Sequence, residues 1–211
     1  LYLDMLKDRL YTLAPDNPLR RSSQTALNII LHALTRMLAP MLTFTAEEVW
    51  KFVPNQPDRE PSIHLAAWPK MNQNFMDDRL GERWERLLKL RSTVTKALEI
   101  ARRDRVLGNS LEANVVIYPE QKADEAVLKH FEPLLPTVFI TSQAELHAPG
   151  TALPEDILVT ENLLSVAIRN AAGKKCKRCW NYRESVGKTE NHPSLCDRCV
   201  AELRKLGGTD E

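Results

Sequence analysis

Lys174-Lys175-Cys176-Lys177-Arg178-Cys179-Trp180 and Cys196-Asp197-Arg198-Cys199 hold all four cysteines of the chain, as two C-x2-C knuckles separated by a 16-residue loop. A two-residue gap lets both thiolates of a knuckle turn toward one point. Two knuckles then supply the closed tetrahedral sulfur cage that Zn²⁺ prefers. The other use of four cysteines is a pair of disulfides in a secreted chain. No secretory leader pattern opens this sequence, and disulfide frameworks distribute their cysteines over a fold instead of gathering them at one tip. Cys176, Cys179, Cys196 and Cys199 are therefore expected to hold one structural zinc. A cage filled by four thiolates has no open position for water or substrate, so the ion shapes the fold and performs no hydrolysis.

The segment around the cage is basic. Lys174, Lys175, Lys177, Arg178, Arg183, Lys188, Arg198, Arg204 and Lys205 outnumber Glu184, Glu190, Asp197 and Glu202, with Trp180 and Tyr182 interleaved. Part of this charge offsets the thiolates, and the remainder with its aromatic rings suits unstacked nucleic-acid bases. Trp180 has two ordinary uses, packing over the small zinc core or stacking on a base. Arg178 has two as well, a solvated surface position or a contact to phosphate or base.

Composition bounds the remainder. The 211 residues suffice for one good core or two smaller ones, and the apolar and charged fractions are those of a soluble globular protein. The most apolar stretch is interrupted by His32, Arg36 and Pro40, which argues against a membrane span. Reduced cysteines suit a cytoplasmic protein. The formal net charge of +1 conceals a helix carrying Arg83, Arg86, Arg91, Lys96, Arg102, Arg103 and Arg105, either a solvated face paired with its own glutamates or a surface for an anionic partner.

Leu1, Leu3, Met5, Leu6 and Leu10 are already in helical period in a chain that lacks an initiator Met, the pattern of a piece cut within a helical domain. Ala26, Leu27, Ile30, Leu31, Leu34, Met37 and Leu38 recur at three and four residues, which predicts one buried stripe on a helix over 22–39, ended by Pro40. Thr45 and Glu48 form an S/T-x-x-E capping pattern, predicting a short helix from Ala46 to before Pro54. The first 53 residues thus read as a helical bundle. Pro54, Pro57, Pro61 and Pro69 make the next segment a loop, with Ile63, Leu65 and Trp68 expected to tuck back. A second long helix follows, with Trp84, Leu87, Leu88, Val94, Ala97, Leu98 and Ala101 inward and Gly108 at its end. Extended segments are expected at 113–118, 137–141, 157–160 and 163–168, with a helix over 123–131. No Gly-rich phosphate loop occurs. His32, His64, His130 and His147 lack any nucleophile motif, and His192 faces a zinc shell already filled.

Tyr2-Leu3-Asp4 with Lys7-Asp8-Arg9-Leu10-Tyr11, Arg20-Arg21-Ser22 with Gln24-Thr25-Ala26-Leu27, and L-T-F-T-A-E-E-V-W over 42–50 closely resemble the anticodon-binding helical domain of bacterial isoleucyl-tRNA synthetases. The resemblance continues through Ala101-Arg102, Gly108, Ser110-Leu111-Glu112-Ala113 and the terminal C-x-R-C-W, V-G and H-x-x-L-C-x-R-C, and so spans nearly the whole chain. Lys177 departs from the proline usual in the first knuckle. The resemblance implies a mainly α fold: a helical-bundle anticodon-binding domain over 1–108, a small α+β subdomain over 109–172 and a four-cysteine zinc finger over 173–211. It further implies that the complete enzyme activates isoleucine with ATP and transfers it to tRNA, through signatures missing from these residues. The piece should bind the isoleucine tRNA at its anticodon loop, as a monomer, with Arg178 and Trp180 as matching motif positions and Lys177, Tyr182 and Arg183 beside them. Two alternatives remain at this level: the zinc-finger region of a DNA-repair glycosylase, and a zinc-braced module that serves only structure or a protein partner.

Overall fold

The computed structural model describes residues 1–54 and 59–207. Its contacts divide the chain into two compact units, Leu1–Ala14 joined with the chain from Asp77 onward, and Pro15–Met76. These units cut across the divisions drawn from sequence, because α1 (Tyr2–Thr12) belongs with the C-terminal part of the chain.

In the smaller unit, α2 (Pro18–Leu38) starts four residues before its expected boundary. Asn17 caps it by accepting from Leu19 N at 3.0 Å, and Pro18 occupies the first helical position, where a missing N–H is harmless. The predicted apolar stripe is not buried: Ile30, Leu31, Leu34, Met37 and Leu38 are all exposed. The covered positions are instead Ser23 near the start of the helix and, on one face further along, His32, Thr35 and Ala39. Their hydroxyls are satisfied locally, Ser23 Oγ donating to Leu19 O at 2.8 Å and Thr35 Oγ1 to Leu31 O at 2.7 Å. Periodicity identifies a face, but not what covers it.

α3 (Thr43–Phe52) begins three residues before the predicted start, with Leu42 at the cap and no side-chain cap bond, so Thr45 lies inside the first turn. Ala39, Ala46, Trp50, Val53 and Ile63 make this unit's core. Of the loop residues expected to tuck back, only Ile63 does; Leu65 and Trp68 are exposed. Pro57 lies outside the described residues.

The larger unit is built on α4 (Asp78–Arg103), capped by Asp77, whose carboxylate accepts from Leu80 N at 2.9 Å. It ends at Arg103, with Arg105 in the left-handed region at φ 60°; Gly108 lies further on. Leu87, Leu90, Val94, Ala97 and Ala101 form its buried stripe against a four-stranded sheet; all but Leu90 are expected inward from the sequence, while Leu88, also expected there, is only half-buried. The strands are β1 (Ala113–Pro119), β2 (Gln143–Leu146), β3 (Ile157–Glu161) and β4 (Leu164–Asn170), in the order β2-β1-β4-β3, with β1 and β2 parallel and the other pairs antiparallel. Val115 and Ile117 of β1 face α4 together with Val166 and Ile168, while Val116, Tyr118 and Ala167 cluster on the opposite face.

The parallel β1–β2 pair requires a crossover, supplied by α5 (Lys122–His130) and α6 (Leu135–Phe139). The strand predicted at 137–141 is in fact α6. Pro136 sits in its first turn, and Leu135, Val138 and Phe139 are buried at helical spacing. Ile140 ends it in the left-handed conformation at φ 60°. Several basic residues of α4 have partners within this unit. Arg86 grips the buried Asp124 at 2.6 and 2.7 Å, Arg91 Nε donates to Val138 O at 2.8 Å, and Lys96 pairs with Glu161. Leu90 is fully buried at the α4–sheet contact. Leu90→Ala is expected to cost about 3 kcal/mol of stability in urea unfolding, a cavity effect that a surface substitution such as Leu80→Ala will not match.

Candidate metal centre

The sulfur cluster forms within a short segment that begins at Gly173. This glycine has φ 90°, and a Cβ on it would run into the Arg183 backbone, so no other residue fits there. Gly173 starts a two-strand ribbon, β5 (Lys174–Lys175) paired with β6 (Tyr182–Arg183). The first knuckle is the turn of that ribbon: Cys176 N donates to Asn181 O and Trp180 N to Cys176 O, both at 2.9 Å. Trp180 closes the turn in the left-handed region at φ 66°, unusual for an aromatic residue. The second knuckle opens α7 (Asp197–Lys205), and Lys177 N donates to Ser194 O at 3.0 Å, tying the two knuckles together.

Cys176, Cys179, Cys196 and Cys199 place their Sγ atoms within 4.8 Å of one another, and none is disulfide-bonded. A tetrahedral zinc with Zn–S bonds of about 2.3 Å has S···S edges of about 3.8 Å. Cys179 Sγ lies 3.8 Å from Cys196 Sγ, so this pair stands at the edge length the ion needs, and the other sulfur separations exceed it by at most about an ångström. His192 is not part of the cluster. Cys196 N points at Cys176 Sγ from 3.3 Å, a backbone donor suited to a thiolate. Hydrogen bonding from Cys199 draws the Cys179 thiol well below the ordinary range despite its burial. Burial pushes Cys196 up, and hydrogen bonding to Cys179 pushes Cys199 up. Sulfurs that compete this way for protons form a site that a divalent cation, which stabilises every thiolate at once, would settle.

The cage is anchored to the rest of its unit. Gln143 pairs both ways with Ala172, and Tyr182 N donates to Ser142 Oγ at 2.7 Å, fixing the ribbon to the β2 edge. On the other side, each knuckle sends one arginine to the end of α1. Arg198 makes a bidentate pair with Asp8 at 2.5 and 2.6 Å, and Arg178 Nη1 donates to Thr12 O. Glu202, buried on α7, accepts from Ala14 N at 2.6 Å. Burial raises the Asp8 carboxyl, but the Arg198 guanidinium outweighs it and holds Asp8 below its usual value.

The remaining predicted positions separate by orientation. Lys177 and Arg183 are exposed, Tyr182 is half-buried and Arg178 is turned onto Thr12. Trp180 does not pack over the cage: it is 61% exposed, with Lys175 Nζ 5.6 Å from its ring centroid. Sequence reasoning missed Asp8, Glu202 and the pairing of Lys175 with Trp180. The available signal was the repeated arginine before the second cysteine of each knuckle, which marks two equivalent reaches from the cage.

A family model described as the anticodon-binding domain of tRNA ligase matches residues 1–117. The chain belongs to that family. A second model, described as a zinc finger found in FPG and IleRS, matches residues 173–201 and covers all four sulfurs. Among curated relatives of this anticodon-binding chain, the isoleucine-tRNA ligase of Moorella thermoacetica is 42% identical over 211 residues, 98% of this chain and 22% of the relative. That of Syntrophotalea carbinolica is 47% identical over 204 residues, 96% of this chain and 21% of the relative. That of Thermoanaerobacter sp. strain X514 is 42% identical over 207 residues, 97% of this chain and 22% of the relative. The chain thus spans about a fifth of the length of these relatives. The match over 1–117 favours a tRNA-ligase origin over a glycosylase, since only the zinc finger is common to both.

Thiolates must lose their protons to hold zinc, so metal content is expected to be one per chain at neutral pH and to fall on acidification, measured by elemental analysis after gel filtration. Asp8 is held below its ordinary value, so its pair with Arg198 stabilises fully above the normal carboxylate range and is lost as pH falls through the lowered value. Asp8→Asn is accordingly expected to loosen α7 by about 2 kcal/mol at neutral pH, read as faster amide exchange over 197–205 with zinc retained.

Proposed function

We propose that this chain is the anticodon-reading region of an isoleucine-tRNA ligase, and that its zinc module presents Trp180 as a stacking platform for a splayed anticodon base. The observation that carries this reading is the state of Trp180. A large ring exposed to solvent on a left-handed residue beside a metal cage is held out, at a cost in strain, where packing alone would turn it inward. Lys175 over the ring, with exposed Lys177 and Arg183 nearby, adds the positive charge that draws a phosphate backbone to the same surface. Arg178 acts by holding the first knuckle to α1, so its contribution to RNA binding runs through position.

The activity of the parent enzyme follows from the same reading. Isoleucine is activated with ATP and transferred to tRNA by a portion of the ligase outside these residues, and this portion supplies recognition. The working compartment is the cytoplasm, and no described helix is long and apolar enough to cross a membrane.

Trp180→Ala is expected to weaken binding of the isoleucine tRNA anticodon arm by about 1 to 3 kcal/mol, with Trp180→Phe retaining most of the affinity. Filter binding at fixed salt measures both. Equal affinity for the wild type and Trp180→Ala would remove the stacking role, and preference for damaged duplex DNA over tRNA would return the glycosylase reading.

A further inference from the structure

We propose that His32, Arg36 and Arg59, gathered around the ring of Trp50, form a phosphate-binding site that takes a backbone phosphodiester of RNA; the choice of RNA as the source rests on the function proposed above. The site lies within the smaller unit. α2 carries His32 and Arg36 one turn apart, and α3 brings Trp50 beneath them. Trp50 is 1% exposed and its Nε1 donates to Glu60 O at 2.9 Å, so the ring is a fixed floor. The Arg36 and Arg59 guanidinium carbons lie over it, 5.7 and 5.4 Å from its centroid, and the His32 ring meets it edge-on at 5.7 Å.

Two guanidinium cations and an imidazole thus surround one ring, with no carboxylate paired to any of them among the described residues; burial, together with Arg36 and Arg59, lowers the proton affinity of His32, so the positive charge is carried by the arginines. The nearest acidic side chains on α3 are engaged elsewhere: Glu47 accepts from Ser62 Oγ and Ile63 N, and Glu48 pairs with Lys51. Arg59 Nη1 donates to the Trp50 and Val53 carbonyls at the end of α3, at 2.8 and 2.5 Å, which fixes this guanidinium and leaves its other N–H groups for a ligand. Among the described residues, Arg36 is held by the ring alone. Its Nε is buried with no hydrogen-bond partner, and so is Nε2 of His32, a residue nine-tenths buried. A buried Arg36 Nε–H without a partner is costly unless something supplies an acceptor, and His32 Nε2 needs the same acceptor in the tautomer that carries its proton there. A phosphate oxygen supplies it, and the planar guanidinium matches phosphate geometry.

Two measurements on the 211-residue chain test this. Inorganic phosphate, followed by nitrogen-edited NMR of the His32 ring and the arginine Nε groups, reports on the site itself. A salt titration of tRNA affinity for wild type, Arg36→Gln, Arg59→Gln and Arg36→Lys reports on the source of the phosphate. Phosphate is expected to shift the His32 and Arg36 resonances. Each Gln variant is expected to weaken tRNA binding about tenfold, as loss of a charge-assisted hydrogen bond does, and to flatten the salt dependence by about 0.7 to 0.9 in log–log slope. Arg36→Lys should restore the slope. Should Arg59→Gln fail to fold, the Arg36 pair of variants carries the test, since Arg36 makes no backbone tie. Resonances unmoved by phosphate, with tRNA binding still dependent on Trp180, would overturn the site and leave the anticodon reading intact. Shifted resonances in a chain with no tRNA affinity would uphold the anion site and overturn RNA as its occupant.

Discussion

Four cysteine sulfurs confined within 4.8 Å of one another form the constraint from which the C-terminal structure follows. Four thiolates at that spacing repel one another, and four neutral thiols there gain little from each other. A divalent cation changes both conditions at once. Among the described residues, the apolar cluster around the sulfurs holds only Val186 and the partly buried Leu195, with Val200 buried outside it, too little to order a segment of this length by hydrophobic burial. The cage therefore takes the place of a core. It also explains the strained turn at Trp180 and the close backbone approach at Gly173, since a metal-closed ring can impose conformations that a free loop would relax.

The basic residues around the cage divide by direction. Arg178 and Arg198 occupy the same place in their knuckles and both reach back to the C-terminal half of α1, where the Thr12 carbonyl and the Asp8 carboxylate receive them. Lys175 and Trp180 lie on the outward side of the first knuckle. One C-x-R-C-W motif thus contains an anchoring residue and a presenting residue one step either side of a metal ligand. A charge count over the segment treats them alike, and only the geometry separates them.

Much of this was legible in the sequence. The C-x2-C spacing is set by the coordination chemistry of one ion, so it survives any uncertainty about the surrounding chain. The long α4 stripe and the valine-rich β1 were readable because each carries one dominant period. The segment 137–141 misled because β-branched residues favour strands, whereas Pro136 and the burial of Leu135, Val138 and Phe139 at helical spacing prevailed. The apolar stripe of α2 was read correctly as a face and wrongly as a buried one, for tertiary contact decides coverage. The Asp8–Arg198 pair joins residues 190 apart, and no local pattern announces it.

One zinc bound by four thiolates thus shapes the surface that carries Trp180. X-ray absorption at the zinc edge of the purified chain tests it most directly. A single shell of four sulfur neighbours at about 2.3 Å is expected. A shell containing nitrogen or oxygen neighbours, or a protein free of zinc with its cysteines oxidised in pairs, would contradict it.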